Sequence, residues 1–204
     1  AVKSLELAKV DPRMRTVQAI ATALEVRLQD LFQPTRELQT VRFRSAKRMQ
    51  NRGNILAEVA RWLDDFSFLE KCLEDPRPFR LGEIRGECSR SRLVEAAALC
   101  RARLGLNPTE PIHDICGLLE NAGVKVFPIP MASDGFFGLS VGEVDGGPAV
   151  VVNVWDRISV ERRIFSAAHE LGHLMLHPQA YDVARTEESP QEETEANRFA
   201  AHFL

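Results

Sequence analysis

Residues 162–177 read Arg-Arg-Ile-Phe-Ser-Ala-Ala-His-Glu-Leu-Gly-His-Leu-Met-Leu-His. Val160, Ile164, Ala168, Leu171 and Met175 recur at three- and four-residue steps, so the stretch is a helix with one apolar stripe. Within it stands His-Glu-x-x-His. Residues four apart share a helix face, so His169 and His173 point the same way. One turn rises about 5.4 Å, which lets two imidazoles reach one metal at about 2.0–2.1 Å. Glu170 stands a third of a turn round, beside such a metal rather than under it. That position suits a carboxylate that takes a proton from water activated by the metal.

Two ring nitrogens leave a catalytic zinc short of one protein ligand. The downstream candidates are Glu187, Glu188, Glu192, Glu193, Glu195 and His202. Glu195 opens Glu-Ala-Asn-Arg-Phe-Ala-Ala, a helical stretch, and a ligand on a helix packed against the first is held rigidly. Small Ala196 and Ala200 would let the two helices come close. His177 extends the histidine stripe by a turn, on the far side of His173 from the metal, and reads as a supporting contact. Tyr181, the only tyrosine, is a surface residue or a hydrogen-bond donor to a tetrahedral intermediate. His113 and His202 read as structural.

Outward from this segment, the pattern changes class. Residues 149–154 are Val-rich, as strands are, and 136–141 and 124–127 read as two further strands. Asp145-Gly146-Gly147 fits a hairpin connection between 136–141 and 149–154. Upstream, helical periods cover Val17 to Leu24, Ile55 to Phe66, and Leu93 to Cys100, and another starts near Pro111 and stops at Gly123. Helices, then a small sheet, then helices make an α+β pattern.

The chain has 204 residues, 45% hydrophobic and 27% charged, so it can bury a core of its own. No run approaches the roughly 18 apolar residues of a membrane helix. The first residues mix charge and apolar character and give no secretory signal, and they lack an initial Met. Cys72, Cys88, Cys100 and Cys116 form no CxxC pair, so they read as reduced thiols in a cytoplasmic protein. Net charge is −3, yet residues 1–56 carry eleven Lys/Arg against five Asp/Glu. This asymmetry points to two functional regions. Arg42, Arg44, Lys47, Arg48 and Arg52 read either as a solvated linker face or as phosphate contacts.

Two motifs together resemble the bacterial ImmA/IrrE metallopeptidases: Phe165 to His173 with Leu176-His177-Pro178, and Glu193-Thr194-Glu195-Ala196-Asn197-Arg198-Phe199-Ala200. The resemblance spans residues 92–204. It implies zinc held by His169, His173 and Glu195, with Glu170 as general base, on a thermolysin-like minimal zincin fold. It further implies that the substrate backbone pairs with an edge strand, which residues 149–154 would supply. Family members act in stress or mobile-element responses by cleaving a helix-turn-helix repressor, so a protein substrate of that kind is expected.

Residues 5–13, 16–26 and 31–32 resemble the latter half of an Xre/Cro-type helix-turn-helix domain, beginning late in its third helix. DNA binding is therefore expected of the intact protein rather than of this chain. The expected organisation is a helix-turn-helix remnant at 1–34, a helical and basic linker at 35–90, and a peptidase domain at 91–204. Oligomeric state is left open. A second reading is a transcription regulator whose peptidase-like domain is a non-catalytic sensor or partner-binding module.

Overall fold

The computed structural model describes residues 11–32, 36–45, 52–74, 76–133, 135–178 and 189–204. Its elements are α1 (Met14–Ala23), β1 (Val41–Ser45), α2 (Arg52–Leu73), α3 (Leu93–Arg103), α4 (Ile115–Asn121), β2 (Lys125–Ile129), β3 (Phe136–Val141), β4 (Ala149–Asn153), α5 (Val160–Leu176) and α6 (Pro190–Phe203). The four strands form one mixed sheet in the order β1-β3-β4-β2. β1 and β4 each run antiparallel to β3, while β2 and β4 are parallel. The α+β expectation therefore holds at the level of a small mixed sheet among helices.

β4 shows why the sheet lies in the middle. Every residue of Ala-Val-Val-Val-Asn is buried. Val150 and Val152 face a core with Ala167, Leu171 and Met175 of α5 and Phe199 of α6. Ala149 and Val151 face the other side, against Ile55, Val59 and Leu63 of α2. A strand covered on both faces loses the polar alternation of a half-exposed one, so its sequence reads as a continuous apolar run. Asn153 ends it: its side-chain amide donates to the carbonyls of Met131 and Phe136 at 2.9 Å each, and its carbonyl accepts from the amides of Met131 and Trp155.

Two expectations need correction here. Residues 149–154 are not an edge strand, because β4 is paired on both sides. The sheet's edges are β1 and β2. Residues 35–90 are also more than a linker. They supply β1, whose Val41 is buried, and α2, which forms the second core. A basic run that alternates with Val41 and Phe43 has strand periodicity, and the partner strand decides the outcome. Two Asp145 contacts hold the approach to β1: its carboxylate accepts from the amide and, at 2.8 Å, the hydroxyl of Thr40.

Helix ends follow local chemistry. Ser159 caps α5, accepting from the Arg162 amide. Asp114 caps α4 by accepting from the Gly117 amide at 2.9 Å, so that helix starts four residues beyond Pro111. Residues 1–10, 33 and 34, part of the expected helix-turn-helix remnant, lie outside the described residues, as do Lys47 and Arg48. No described helix is long and apolar enough to cross a membrane.

Candidate metal centre

The site forms where α5 meets α6. Gly172 makes the approach close: a Cβ there would stand 3.0 Å from Phe199 Cδ1 and 3.3 Å from Ala196 Cα. Ala196 and Ala200 are fully buried at the same contact. Ser189 and Pro190 begin α6, and its first turn carries Glu192 and Glu193, where the helix dipole favours carboxylates.

His169 and His173 are buried, with their Nε2 atoms 2.9 Å apart. The carboxylate of Glu193 closes the group: Oε2 is 3.2 Å from His169 Nε2, and Oε1 is 3.0 Å from His173 Nε2. Ligand atoms of these three residues all lie within 4.8 Å of one another. Glu195 sits elsewhere. It faces His177 Nε2 at 2.8 Å, Arg90 Nε at 2.7 Å and Gln191 Nε2 at 2.9 Å. The structure thus brings His169, His173 and Glu193 together and directs Glu195 to a neighbouring cluster.

The outer ring nitrogens show what kind of ligand fits. His169 Nδ1 lies 3.0 Å from Asn197 Oδ1, an acceptor only, so Nδ1 carries the proton. In its neutral form this ring presents a lone pair at Nε2. His173 Nδ1 lies 3.0 Å from His177 Nδ1. Burial pushes the His173 pKa down to about 3, so this ring is also neutral. With its proton on Nδ1, it presents a second lone pair inward. Two lone pairs and a carboxylate converging in a buried space repel one another unless a cation lies between them. Two nitrogens and one carboxylate oxygen are a catalytic zinc donor set.

Glu170 is fully buried beside this group. The Ser140 hydroxyl on β3 donates to Glu170 Oε2 at 2.7 Å. Gly138, two residues earlier on the same face of β3, leaves room for the carboxylate: a Cβ there would be 3.2 Å from Glu170 Oε1 and 2.9 Å from the Val151 carbonyl. Arg42, on β1 opposite Ser140, crosses the same face and is buried. Its guanidinium pairs with Glu192 and, at 3.4 Å, with Glu193. Burial alone would lower the Arg42 pKa, but these two carboxylates outweigh it and raise it. Arg42 thus makes a buried internal pair rather than a phosphate contact.

Other sequence candidates fall outward. His113 and His202 are exposed, and Val160 of the apolar stripe is exposed as well. Glu187, Glu188 and Tyr181 lie outside the described residues.

Against known families, residues 119–204 match the family model Peptidase_M78, described as the IrrE N-terminal-like domain. The matched segment holds β2 to β4, α5 and α6, and with them the two histidines and all the α6 carboxylates. It supports the ImmA/IrrE resemblance and a metallopeptidase-like domain at the level of the family. No curated protein matches the chain.

Proposed function

We propose that the chain is a zinc-dependent metalloendopeptidase, with His169, His173 and Glu193 holding the metal and Glu170 as general base. The observation that carries the reading is the convergence of His169, His173 and Glu193, with ligand atoms within 4.8 Å of one another, next to a fully buried glutamate. Glu193 takes the place that the family resemblance gave to Glu195, because Glu193 and Asn197 are four apart on one face of α6. The face that carries the ligand also carries the acceptor that orients His169.

When bound, zinc lowers the pKa of water and polarises the scissile carbonyl. The chain's own residues do the rest. Ser140 holds Glu170 by donating to Oε2, and Gly138 leaves room for the carboxylate beside β3. Glu170 accepts the proton of the attacking water and delivers it to the leaving amine. Hydrolysis is direct: Ser140, the serine at the described site, is fully buried and acts by holding Glu170. Arg42 balances the negative charge of Glu192 and Glu193 from the opposite side.

The proposed substrate is a protein, a helix-turn-helix repressor of a cytoplasmic bacterial stress system, as the family resemblance implies. DNA binding through an Xre-type domain in the intact protein belongs to the same proposal.

The test has two parts. Purified protein should carry about one zinc per chain by elemental analysis, and His169→Ala should lose it. Glu170→Gln should keep the zinc and lose cleavage of a partner repressor by at least about a hundredfold, the lower range for a general base. A Glu170→Gln variant that cleaves at the wild-type rate would overturn the mechanism. A chain without zinc after loading at neutral pH would overturn the metal site.

A further inference from the structure

Beyond the metal group, a chain of buried polar contacts runs outward from His173. Its Nδ1 meets His177 Nδ1 at 3.0 Å. His177 Nε2 meets Glu195 Oε2 at 2.8 Å. Arg90 then grips Glu195 through Nε at 2.7 Å and Nη2 at 3.3 Å, and Gln191 donates to Glu195 Oε1 at 2.9 Å. His173 and His177 are both buried, while Arg90 reaches solvent. Nothing in the hydrolytic step uses His177, Glu195 or Arg90.

We propose that His177 and Glu195 are positioning residues that fix the tautomer of His173, keeping its Nδ1 protonated and its Nε2 lone pair turned towards the metal. This proposal rests on the reading of His173 as a ligand.

The direction of the chain follows from which group must donate. Arg90 and Gln191 donate to both oxygens of the Glu195 carboxylate, which is therefore paired as an acceptor and accepts from His177 as well. His177 Nε2 therefore carries a proton and donates. A buried imidazole that carries its one proton on Nε2 has a lone pair on Nδ1, the atom that faces His173. His173 Nδ1 is then the only donor left for that contact. A neutral His173 with its proton on Nδ1 has none on Nε2. Asn197 does the same for His169 in one step, as an acceptor on Nδ1. The second histidine needs two steps, because His177 stands between it and the carboxylate. Without Glu195, His177 could reverse, with its proton on Nδ1. His173 would then carry its proton on Nε2, where the metal binds.

The full chain is stripped of zinc with a chelator and reloaded, and zinc affinity is read by competition with a chromophoric chelator. In parallel, nitrogen-15 NMR of the histidine rings in the metal-free protein reports which ring nitrogen of His173 is protonated. Expected are an Nδ1–H tautomer for wild-type His173 and zinc binding weakened about 10- to 100-fold in Glu195→Leu and His177→Phe. In Glu195→Leu the His173 signal should move towards the Nε2–H form. Glu195→Gln keeps an acceptor at that position and should restore most of the affinity. It also serves if Glu195→Leu fails to fold. Wild-type affinity and an unchanged His173 tautomer in the Glu195 and His177 variants, with His169→Ala losing zinc, would overturn the relay and leave the metal site standing. No zinc binding by the wild type would overturn the metal site instead. The relay would then be judged on the tautomer alone, an unchanged Nδ1–H signal in Glu195→Leu counting against it.

Discussion

His173 sits where burial and function pull on one proton. In the metal-free chain its pKa is pushed down to about 3 by burial, against about 6.5 for an exposed imidazole. Between those values the unfolded chain holds a proton that the folded chain does not. Stability therefore falls as pH drops from about 6.5 towards 3, by up to about 1.4 kcal/mol per pH unit from this group. Below 3 both states are protonated and its contribution levels off. Urea unfolding of the metal-free protein across this range should show the slope, and His173→Phe should reduce it by close to one proton. An unchanged slope in that variant would show that His173 is not buried as a neutral ring. At this scale the sequence was legible for the helical spacing of His169, Glu170 and His173, because a five-residue pattern carries its own geometry. It was not legible for the α6 carboxylate. Glu193 and Glu195 lie in the same helical turn, and which one faces α5 depends on how the helices rotate against each other. The signal that separates them is Asn197, four beyond Glu193 and on its face, whose carbonyl oxygen meets His169.

At the scale of elements, the pair of Arg42 with Glu192 and Glu193 joins β1 to α6 across the site. Both sides of the Arg42–Glu192 contact are under a tenth exposed. Breaking a buried pair by removing one partner leaves a stranded charge and typically costs about 3–5 kcal/mol. Arg42→Ala should lower unfolding stability by that order, whereas Arg103→Ala, which removes the exposed pair with Glu83, is the comparison. A loss under about 1 kcal/mol, the range of a surface pair, would show that the pair is solvated. The sequence could not place β1. Its five residues carry two arginines, and only the partner strand β3 and the carboxylates of α6 make that run an edge strand with Arg42 buried. Residues 149–153 were recognisable as a strand, but not as a central one: strand order is a property of the sheet, and an all-apolar run fits any strand covered on both faces. α3 and α5 were legible because their apolar faces repeat at the helical period over eleven or more residues.

For the whole molecule, the candidate metal centre packs against a sheet to which the upstream region contributes β1. The family match begins at residue 119, yet β1 and α2 come from residues 41–73 and cover the outer edge of β3 and one face of the sheet. Ile129, Phe136, Leu139, Val141 and Val151 are buried in that second core with Ile55, Val59 and Leu63. Uncovering five such side chains at about 2 kcal/mol each would remove about 10 kcal/mol, comparable with the whole stability of a domain, about 5–15 kcal/mol. The unpaired edge of β3 would also be open to pairing with another chain. A chain beginning at residue 91 should therefore aggregate or unfold, while one beginning at residue 36 should fold and bind zinc, because it keeps Thr40 on Asp145, β1 on β3 and α2 on the sheet. Size-exclusion chromatography and thermal unfolding of the two chains make the comparison. If the chain from residue 91 were monomeric and unfolded cooperatively at the same temperature as the longer one, the peptidase unit would be self-sufficient and α2 an appendage.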